Sequence, residues 1–594
     1  MPPKKQVEVE SLLHAGDAAV PRPRLHKLIV RNFCAIGSDA VVIELDDIVV
    51  LVGPNNAGKS SILRAYEVVM NHGSKEGHLG LEDFPGGAIV EDKLPEIELQ
   101  TIVHDNSPGV SWIHTDPKTK EQIVRERWTW KAPGAPVRQG FDVVTADWSD
   151  KVPWGAPNVA KSRRPEPHRV EAFAPPEKQA AEIVRLLTGI LEERVKELRL
   201  ESSKDSNTVY AKLLSSIGAL QSQIVSESEE QMKGLQNQIS DAVKEVFPGY
   251  AIKFDARPED DLEKTLQFFK STPQLLMGPA DGHLSTVARQ GSGARRTLLW
   301  SALRIIKDHE TAKSSKGDDA RPHVLLLDEP ELCLHPNAIR EARRVLYELP
   351  AAGNWQVMLT THSPVFIDLA RDNTTVIRVE RGVDGRISGK TLFRPSRVNL
   401  DADDRKRLKL LNLCDPYVNE FFFGGQLVVV EGDTEYTAFR YVAEQAGEEF
   451  RDLQIVRARG KSTILSLVKV LNHFGVKYAI LHDSDNPMVK LKSGVTRRNS
   501  AWTANQSIRD AVLAASDPTR INQLASIPNF EAAFLGDEVV DDKPYNALER
   551  ITESNATYQT VLALLRSLVD PGKAPPDGAL RWTTLAELEA AVAP

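Results

Sequence analysis

Residues 48–60 have the sequence IVVLVGPNNAGKS, and this stretch decides the fold. An apolar, β-branched strand runs into a loop of the form GxxxxGK[ST], and a helix is predicted from Lys59 to about Met70. The glycines let backbone N–H groups approach phosphate oxygens, Lys59 can reach the β- and γ-phosphates, and the Ser60 hydroxyl can bind Mg²⁺. A chance Gly-rich turn would not require the flanking strand and helix. The stretch therefore predicts an α/β P-loop domain that binds ATP through Asn55, Asn56, Gly58, Lys59, Ser60 and Ser61.

A second apolar strand, in residues 323–330 (HVLLLDEP), ends in two acids. When it follows a phosphate loop, such a strand is typical of a Walker B motif. Asp328 can hold the Mg²⁺ of the nucleotide through water, and Glu329 can polarise an attacking water. We therefore expect one Mg²⁺ with ATP, held by Ser60 and Asp328, and we expect Glu329 to be the catalytic base of the head.

Two further motifs extend the nucleotide site. Residues 360–364 (TTHSP) follow the next predicted strand, so His362 can hydrogen-bond the γ-phosphate, although a histidine after a strand is more often structural. Residues 290–296 (QGSGARR) open an apolar helix, and the amides of Ser292 and Gly293 at its start can bind another anion.

These four motifs together resemble the ABC-type ATPase heads of SMC and RecF proteins. The resemblance implies that Ser292 and Gly293 of one subunit cap the ATP bound by Lys59 of another, and so implies an ATP-dependent head-to-head dimer. The QGSG of this chain departs from the LSGGQ signature of such heads, which leaves the rate of ATP turnover open. The candidates for the Q-loop are Gln100, which lies in a predicted strand, and Asp83 with Phe84, which lie in a predicted loop.

Acidic residues follow two more buried strands in the C-terminal third. Residues 426–435 (QLVVVEGDTE) place one acid at the end of a strand and another four residues on, at the start of a helix. Residues 478–485 (YAILHDSD) end in two acids that an extended chain points to one side. Converging carboxylates repel unless cations neutralise them, and oxygen-only ligation suits Mg²⁺ or Mn²⁺ rather than zinc. Single acids at strand ends are usually solvated, but the paired pattern predicts a metal site at Glu431, Glu435, Asp483 and Asp485.

The same pattern, EGxxE followed by DxD, resembles the Toprim fold of topoisomerases, primases and some nucleases. Glu531, at the start of a helical stretch, is a candidate for a further ligand. Lys543 precedes a helix that a proline opens, and near two metals its charge can stabilise the transition state of phosphoryl transfer. Without the acids before it, an exposed lysine of this kind would be interpreted as solvated.

The chain organisation follows from these motifs. Residues 177–246 show helical periodicity with one apolar face, which either packs on its own domain or forms a dimer interface, and Leu213, Leu214, Ile217 and Leu220 are the candidates for that face. Residues 146–178 carry several prolines and are predicted to form a long surface loop. The expected division is a tail (1–22), the two parts of the head (23–176 and 251–400), a helical dimerisation insertion (177–250), a connector (401–420) and a C-terminal Toprim α/β domain (421–594).

An ABC-type head fused to a Toprim domain resembles the OLD (overcoming lysogenisation defect) family of nucleases over nearly the whole chain. The resemblance implies a metal-dependent DNA endonuclease whose head regulates cutting, with two Mg²⁺ or Mn²⁺ ions bound by Glu431, Glu435, Asp483, Asp485 and Glu531. It matches Lys543 to the catalytic lysine of the family and implies a role in anti-phage defence. Membership of the Gabija type would add a helicase-like partner. Whether ATP activates or inhibits cutting stays open.

Two rival classes remain beside this interpretation. One is a RecF-like DNA repair ATPase whose Toprim unit only binds DNA, although the intact acids and Lys543 argue against an inactive module. The other is a DNA-joining or RNA-priming enzyme. A topoisomerase would need a domain with a nucleophilic tyrosine. A primase would need a priming or zinc-binding module. The motifs of the ATPase head disfavour both enzymes.

Composition excludes several other classes. The 594 residues carry 74 basic and 82 acidic side chains, a net charge of −8, so a uniformly basic nucleic-acid coat is ruled out while a local basic patch is not. The three cysteines form no CxxC pair, which gives no cysteine zinc site and fits a reducing compartment. All apolar runs are strand-sized. We expect a cytoplasmic protein with no membrane segment, which acts as a homo-oligomer, a dimer or higher, on DNA.

Overall fold

The computed structural model describes residues 23–170, 283–300 and 322–593, apart from short gaps within these ranges, and isolated positions between 175 and 303. The chain divides into two compact units, Ala174–Ile306 and the remainder. Most of the predicted helical insertion, including Leu214, Ile217 and Leu220, lies outside the described residues. Leu213 is described and is 40% exposed.

The nucleotide motifs of the first unit lie on a largely parallel sheet with the strand order β15-β14-β3-β13-β12-β9. All strands pair in parallel except β15, which is antiparallel to β14. Every residue of β3 is buried, because its IVVLV sequence packs on both faces of the sheet. The helix α1 follows β3 through the phosphate loop. The bounds are β3 (Ile48–Val52), β9 (Glu166–Val170), β12 (His323–Asp328), β13 (Trp355–Thr360), β14 (Thr374–Arg381), β15 (Ile387–Phe393), α1 (Lys59–Met70) and α3 (Pro336–Glu348).

A second, antiparallel sheet of the head has the order β2-β1-β4-β6-β7-β8, with β5 paired to β6. Its apolar side shares one core with α1, in which Trp128 and Trp130 are fully buried. Its strands are β1 (Arg24–Arg31), β2 (Val41–Glu44), β4 (Glu96–Val103), β5 (Ile113–Thr115), β6 (Gln122–Thr129), β7 (Val137–Asp142) and β8 (Asp147–Ser149).

The prediction of a surface loop over residues 146–178 is wrong. This stretch contains β8, the helix α2 (Pro157–Arg163) and β9, which is the edge strand beside the Walker B strand. The prolines that suggest a loop occupy positions that tolerate them. Pro157 stands at the first turn of α2, where its missing N–H is not needed, and Pro167 lies on an edge strand.

The C-terminal sheet has the order β17-β16-β18-β21-β22. β16, β17, β18 and β21 run in parallel, and β22 is antiparallel to β21. The carboxyl ends of the parallel strands therefore meet at one edge of the sheet, where the acidic motifs lie. The bounds are β16 (Gln426–Val430), β17 (Leu453–Arg457), β18 (Tyr478–Asp483), β19 (Met488–Lys490), β20 (Thr496–Arg498), β21 (Ile521–Ser526), β22 (Ala579–Arg581), α5 (Asp433–Ala446), α6 (Lys461–Phe474), α7 (Ser500–Leu513), α8 (Phe530–Phe534), α9 (Lys543–Glu553), α10 (Asn555–Val569) and α11 (Leu585–Val592).

A connector joins head and C-terminal domain. It consists of the helix α4 (Ala402–Cys414), whose N-terminus is closed by a capping box of Asp401 and Asp404, and of a 3-10 segment, Pro416–Phe423. Asp404 is fully buried and accepts hydrogen bonds from Ser466 (2.7 Å) and Lys469 (2.5 Å) on α6. The connector is thus fixed to the C-terminal domain by a buried ionic contact.

In the second unit, Leu276–Met277 and Ser285–Thr286 form a short antiparallel pair, β10 with β11. Residues 292–300 are helical, as the sequence predicts. Among the helices that the structure describes, none has both the length and the apolar character required to cross a bilayer.

Candidate functional site

The phosphate loop has the backbone that its glycines predict. Gly53 has a φ of 138°, and a Cβ placed there would lie 1.9 Å from the carbonyl oxygen of Val379, so only glycine fits. Gly58 has a φ of 94° and directly precedes α1. Lys59 is 5% exposed, and its Nζ donates to the carbonyl oxygens of Gly53 (3.0 Å) and Pro54 (2.9 Å). The ammonium group is therefore held inside the loop where a phosphate would be bound.

His362 meets the phosphate loop directly. Its Nε2 lies 3.0 Å from Lys59 Nζ and 3.6 Å from Glu329 Oε1. Burial lowers the pKa of His362, and the neighbouring Lys59 charge lowers it further. Burial also lowers the pKa of Lys59, with Glu329 and Asp328 opposing the shift. A neutral imidazole at this position can hydrogen-bond a terminal phosphate, so that role of His362 stays a prediction.

Asp328 lies at the centre of a hydrogen-bonded group at the ends of β12 and β13. Its Oδ1 accepts from Ser60 Oγ (3.1 Å) and Thr360 Oγ1 (2.6 Å), and its Oδ2 lies 3.7 Å from Arg169 Nη2. The pairing of Ser60 with Asp328 is the arrangement expected for a Mg²⁺ of the nucleotide. Sequence reasoning does not single out Thr360 or Arg169, and Arg169 lies in the stretch that the prolines predict as a loop.

Glu329 and Glu331 complete the wall of the pocket. Glu329 has a φ of 46°, the left-handed backbone that turns its side chain back toward the loop, and Glu331 accepts a hydrogen bond from the backbone N–H of His362 (2.7 Å). A cavity of about 680 Å³ is bounded by the P-loop and by these residues. Its lining includes Asn55, Asn56, Gly58, Lys59, Ser60, Ser61, Glu329, Glu331 and His362.

The two candidates for the Q-loop lie elsewhere. Gln100 is within β4 of the antiparallel sheet, and its amide donates to Glu98 (2.8 Å). Asp83 accepts from the backbone N–H of Gly80 (3.0 Å) in a short 3-10 turn. Neither is among the residues that line the nucleotide cavity. Arg169, on the strand next to Walker B, does contact this site through Asp328.

The predicted signature lies in the second unit. The Gln290 amide donates to the carbonyl oxygen of Met277 (2.7 Å) and to Ser285 Oγ (2.7 Å). Ser292 and Gly293 stand in the first turn of the helix that starts at residue 292. Their backbone N–H groups therefore belong to a helix N-terminus, as the sequence predicts.

Three acids of the C-terminal domain meet at the carboxyl ends of β16 and β18. The backbone N–H of Asp483 donates to Glu431 Oε2 (3.1 Å), and the backbone N–H of Gly432 donates to Glu435 Oε2 (3.1 Å). Phe530 N–H donates to Asp483 Oδ1 (2.8 Å). Backbone donors thus fix the three carboxylates in place before any cation binds.

Burial and mutual repulsion disfavour the ionised form of these three carboxyl groups. Burial raises the pKa of Glu431, Glu435 and Asp483, and each is raised further by its acidic neighbours. For Glu435, which is 4% exposed, the pKa rises to about 7. A divalent cation would relieve both the burial and the repulsion, so this donor set of oxygens fits Mg²⁺ or Mn²⁺.

Asp485 differs from Glu431, Glu435 and Asp483 because its carboxylate forms an ion pair with a lysine. Lys461, at the first turn of α6, is 6% exposed and its Nζ contacts Asp485 Oδ2, with the carbonyl oxygen of Ala501 at 3.3 Å. Local sequence patterns do not predict this contact, because Lys461 and Asp485 belong to different motifs. The structure thus pairs a buried lysine with a predicted metal ligand.

Glu531 and Lys543 form an ion pair next to the carboxyl groups of Glu431, Glu435 and Asp483. Glu531, on α8, accepts from Thr434 Oγ1 (3.1 Å), and its Oε1 lies 3.1 Å from Lys543 Nζ. Lys543 begins α9, and its side chain is 46% exposed, which leaves it accessible to a ligand. The structure therefore brings Glu431, Glu435, Asp483, Glu531 and Lys543 to one edge of the sheet.

A basic hairpin formed by β19 and β20 follows Asp485 in the chain. Residues 488–498 (MVKLKSGVTRR) contain four cations and no acid, in a chain with a net charge of −8. The described residues of the hairpin are all exposed. Its base is fixed beside Asp485, because Asn499 donates from its backbone to Pro487 O (2.9 Å) and from Nδ2 to Asn486 O (3.1 Å).

Two family models match the chain. One, described as "AAA domain, putative AbiEii toxin, Type IV TA system", covers residues 48–368, more than half of the chain. The other, "Overcoming lysogenization defect protein-like, TOPRIM domain", covers residues 422–485. The first spans the phosphate loop, Walker B and His362. The second spans four of the five predicted metal ligands.

Two curated relatives match both domains. The Old nuclease of Escherichia phage P2 is 24% identical over 476 residues, which cover 78% of this chain and 77% of that protein. The OLD nuclease of Thermus scotoductus is 25% identical over 549 residues, 88% of this chain and 94% of the relative.

Solved structures with partial likeness include SMC heads. The SMC head bound to the C-terminal winged-helix domain of ScpA is 15% identical, covers 62% of this chain and 98% of its own, and has a TM-score of 0.34. The SMC head domain from Thermotoga maritima has a TM-score of 0.28 at 14% identity, with 62% of this chain and 98% of its own covered. At these scores the likeness adds nothing to the assignment, which rests on the family models and the site geometry. The chain therefore belongs to the AAA domain family of the first model, and an OLD-like Toprim domain follows that domain.

Proposed function

We propose that this protein is an ATP-binding, metal-dependent DNA endonuclease whose Toprim domain cuts and whose head regulates cutting. The observation that carries the proposal is the convergence of Glu431, Glu435, Asp483 and Glu531 with Lys543 at one sheet edge. Buried carboxylates with raised pKa values are costly unless cations bind them, and they cluster at functional sites. The names of the two curated relatives, both nucleases, support the same activity.

In the proposed site, the acids and Lys543 have different roles. Glu431, Glu435, Asp483, Asp485 and Glu531 would hold two divalent cations, which when bound supply an activated water and charge stabilisation of the leaving oxygen. Lys543 is positioned by Glu531 and stabilises negative charge that develops on the scissile phosphate. Because the Lys543 side chain is half-exposed, it can reach a phosphate bound at the surface of the acids.

Two features support DNA as the substrate. The basic hairpin places Lys490, Arg497 and Arg498 in solvent next to Asp485, where they can bind the phosphates on either side of the cut. Three of the exposed apolar side chains of the described residues, Met488, Val489 and Val495, belong to the same hairpin. Proteins that bind the minor groove of DNA combine cationic and exposed apolar side chains in this way.

Regulation by ATP is supported by contacts between the head and the connector. The His362 and Phe423 rings lie nearly parallel, with centroids 6.4 Å apart. Asn419, fully buried in the connector, donates to the carbonyl oxygens of Ile367 (2.8 Å) and Pro364 (3.4 Å), which follow His362 in the chain. A γ-phosphate that moves His362 would therefore move the segment that leads into β16 and Glu431.

The activity is tested with supercoiled plasmid and Mg²⁺ or Mn²⁺. The wild-type chain is expected to nick or linearise the DNA, and Asp483→Asn to slow cutting by orders of magnitude, because it removes a ligand worth several kcal/mol of transition-state stabilisation. The matched control is Asp433→Asn, an exposed acid at the start of α5 that pairs with Arg457. Cutting by Asp483→Asn at the wild-type rate would overturn the proposed site. A wild-type chain that binds ATP and DNA but never cuts would favour the RecF-like alternative.

We further infer a role in anti-phage defence, which rests on the family resemblance. Cells that express the wild-type chain are expected to plate phage less efficiently than cells that express Asp483→Asn. A helicase-like partner of the Gabija type would be required if protection appears only when a neighbouring helicase gene is co-expressed. Equal plating on both strains, with and without that gene, would contradict the role.

A further inference from the structure

Two imidazoles and a carboxylate cluster on the head sheet, away from both sites described above. Glu166 and His168 lie on the edge strand β9, and His323 begins the neighbouring strand β12. One possible ligand atom from each residue lies within 4.8 Å of the others. We propose that Glu166, His168 and His323 form a binding site for a transition-metal ion of the Zn²⁺ class.

Strand register brings the three side chains to one face. β9 and β12 are parallel, with Glu166 opposite His323 and His168 opposite Leu325. Paired residues of a sheet share a face, and so do residues two apart on one strand. All three candidate ligands therefore project from the same side of the sheet. Trp355 of β13, which pairs with His323, projects from that side too.

The separation of the two ring nitrogens suits a shared ion. His168 Nε2 lies 3.1 Å from His323 Nδ1. Zn–N bonds are about 2.0–2.1 Å long, so two nitrogens on a tetrahedral ion are separated by roughly 3.3 Å. The two ring nitrogens would have to move apart by only a few tenths of an ångström to bind one ion. The bonds to the ion would replace the hydrogen bond that now links the rings.

The chemistry of the donors selects the metal. Two imidazole nitrogens with one carboxylate oxygen favour Zn²⁺, Co²⁺ or Ni²⁺ over Mg²⁺, and three protein ligands leave a fourth position for water. The site is also built rather than incidental to the surface. His168 is 6% exposed and Trp355 3% exposed, and the Trp355 ring stacks on His323 with centroids 4.7 Å apart. Such packing fixes the ring plane of a ligand.

The site is separate from the Mg²⁺–ATP site. His323 and Asp328 stand at opposite ends of β12, about 16 Å apart at the usual rise of a strand. A bound ion would tie the edge strand β9 to the strand that carries Asp328 and Glu329. β9 also carries Arg169, which contacts Asp328. An ion bound at the start of β9 and β12 would therefore stabilise the nucleotide site at the other end of the same two strands.

The test uses the full chain, stripped of metal with a chelator and kept in excess Mg²⁺ so that the oxygen-rich sites are filled. Zn²⁺ is titrated by calorimetry, and Co²⁺ by its visible absorption. The wild-type chain should bind one equivalent more than His168→Gln or His323→Gln. Outer-shell changes weaken metal binding about 10–100-fold, so loss of a direct ligand should weaken it at least as much. His114→Gln, on an exposed strand of the antiparallel sheet, is the matched control and should bind like wild type.

X-ray absorption of the Zn²⁺-loaded wild type provides a reading that does not depend on variants folding. Two imidazole ligands and a light-atom remainder are expected. A spectrum without imidazole scattering, or equal stoichiometry in wild type and both histidine variants, overturns the site and leaves the cluster as a hydrogen-bonded stack. Neither result would bear on DNA cutting, because the Toprim acids take no part in the measurement.

Discussion

Glu435 links the Toprim cluster to pH. Its pKa in the fold is about 7, against an ordinary value of 4.5, with burial as the main cause. A carboxyl whose pKa is raised on folding keeps its proton in the fold longer than in the unfolded chain. Its contribution to stability is therefore full at pH values below about 4.5 and is lost as the pH rises through 7.

For the metal-free protein, we expect the free energy of unfolding to fall between pH 5 and pH 8, with roughly 3 kcal/mol as the upper bound from this residue. Glu435→Gln should flatten that part of the profile, because the neutral amide has no cost of ionisation. Millimolar Mg²⁺ should restore stability at pH 8 in the wild type only. Thermal melts over this pH range, with and without Mg²⁺, measure all three effects. Identical profiles for both chains would contradict the assignment.

Lys543 is expected to act mainly in the transition state. Lys543→Ala should bind DNA and divalent cations nearly as wild type does but cut at least about 100-fold more slowly, the scale found when one charge-stabilising donor is removed. Single-turnover cutting and DNA binding, measured side by side, separate the two effects. The matched control is Lys573→Ala, an exposed lysine at the other edge of the Toprim sheet, near Arg581 and the start of β21. If both variants cut at the wild-type rate, Lys543 is only a solvated ion-pair partner of Glu531.

The role of a single residue is predictable where the residue belongs to a local sequence pattern. Glu431, Asp483 and Asp328 each follow or end an apolar strand, and the structure places each at a carboxyl edge. Lys461 and Arg169 are not predictable as site residues in their observed roles, because each acquires its role from a partner distant in sequence. Thr360 belongs to a recognisable motif, but its bond to Asp328 depends on the pairing of β12 with β13.

At the scale of elements, the β19–β20 hairpin is the part whose role can be measured alone. Arg497→Ala and Arg498→Ala should weaken DNA binding uniformly across sequences. Each should reduce the slope of log affinity against log salt by about 1 for every phosphate that the arginine neutralises in the wild type. Binding is measured in the Asp483→Asn background, so that the DNA stays intact. Lys573→Ala again serves as the control, and an unchanged slope in both arginine variants would remove the hairpin from the DNA path.

Elements with a strong hydrophobic period or a clear glycine turn are predictable within a residue or two, as for α1 and β16. The exceptions have a common cause. The stretch that contains α2 and β9 is predicted to be a loop when its prolines are counted without regard to their positions. Whether a proline breaks an element depends on whether its missing N–H is needed, and the edge position of β9 is a property of the sheet that no local pattern displays.

At the scale of the whole molecule, the coupling between head and Toprim domain can be tested with two head variants. Lys59→Ala should abolish ATP binding, because the phosphates lose their main counter-charge. Glu329→Gln should keep binding and stop hydrolysis. The dependence of plasmid cutting on ATP concentration should therefore differ between the two. If both variants cut like wild type at every ATP level, the contacts of His362 and Asn419 with the connector do not transmit the state of the nucleotide.

We also expect a homo-oligomer, at least a dimer, with two-fold symmetry, because the signature of one head would complete the ATP site of another. Leu214→Asp combined with Ile217→Asp should weaken the assembly by several kcal/mol if the helical insertion forms the interface, since unpaired charge would be buried there. Light scattering at micromolar concentration, with and without ATP, measures the mass. A monomeric wild type contradicts the prediction, and a double variant that stays dimeric places the interface elsewhere.

The connector has a consequence for how such proteins can be recombined. Asp404 is buried against Ser466 and Lys469 of the Toprim domain, while Asn419 is bonded to the loop behind His362. A chimera joined at the start of β16 would separate Asp404 from its own lysine and bury a carboxylate without its partner. Exchange of the nuclease module between relatives should therefore succeed only when the segment 401–423 and the residues it touches on both sides are inherited together.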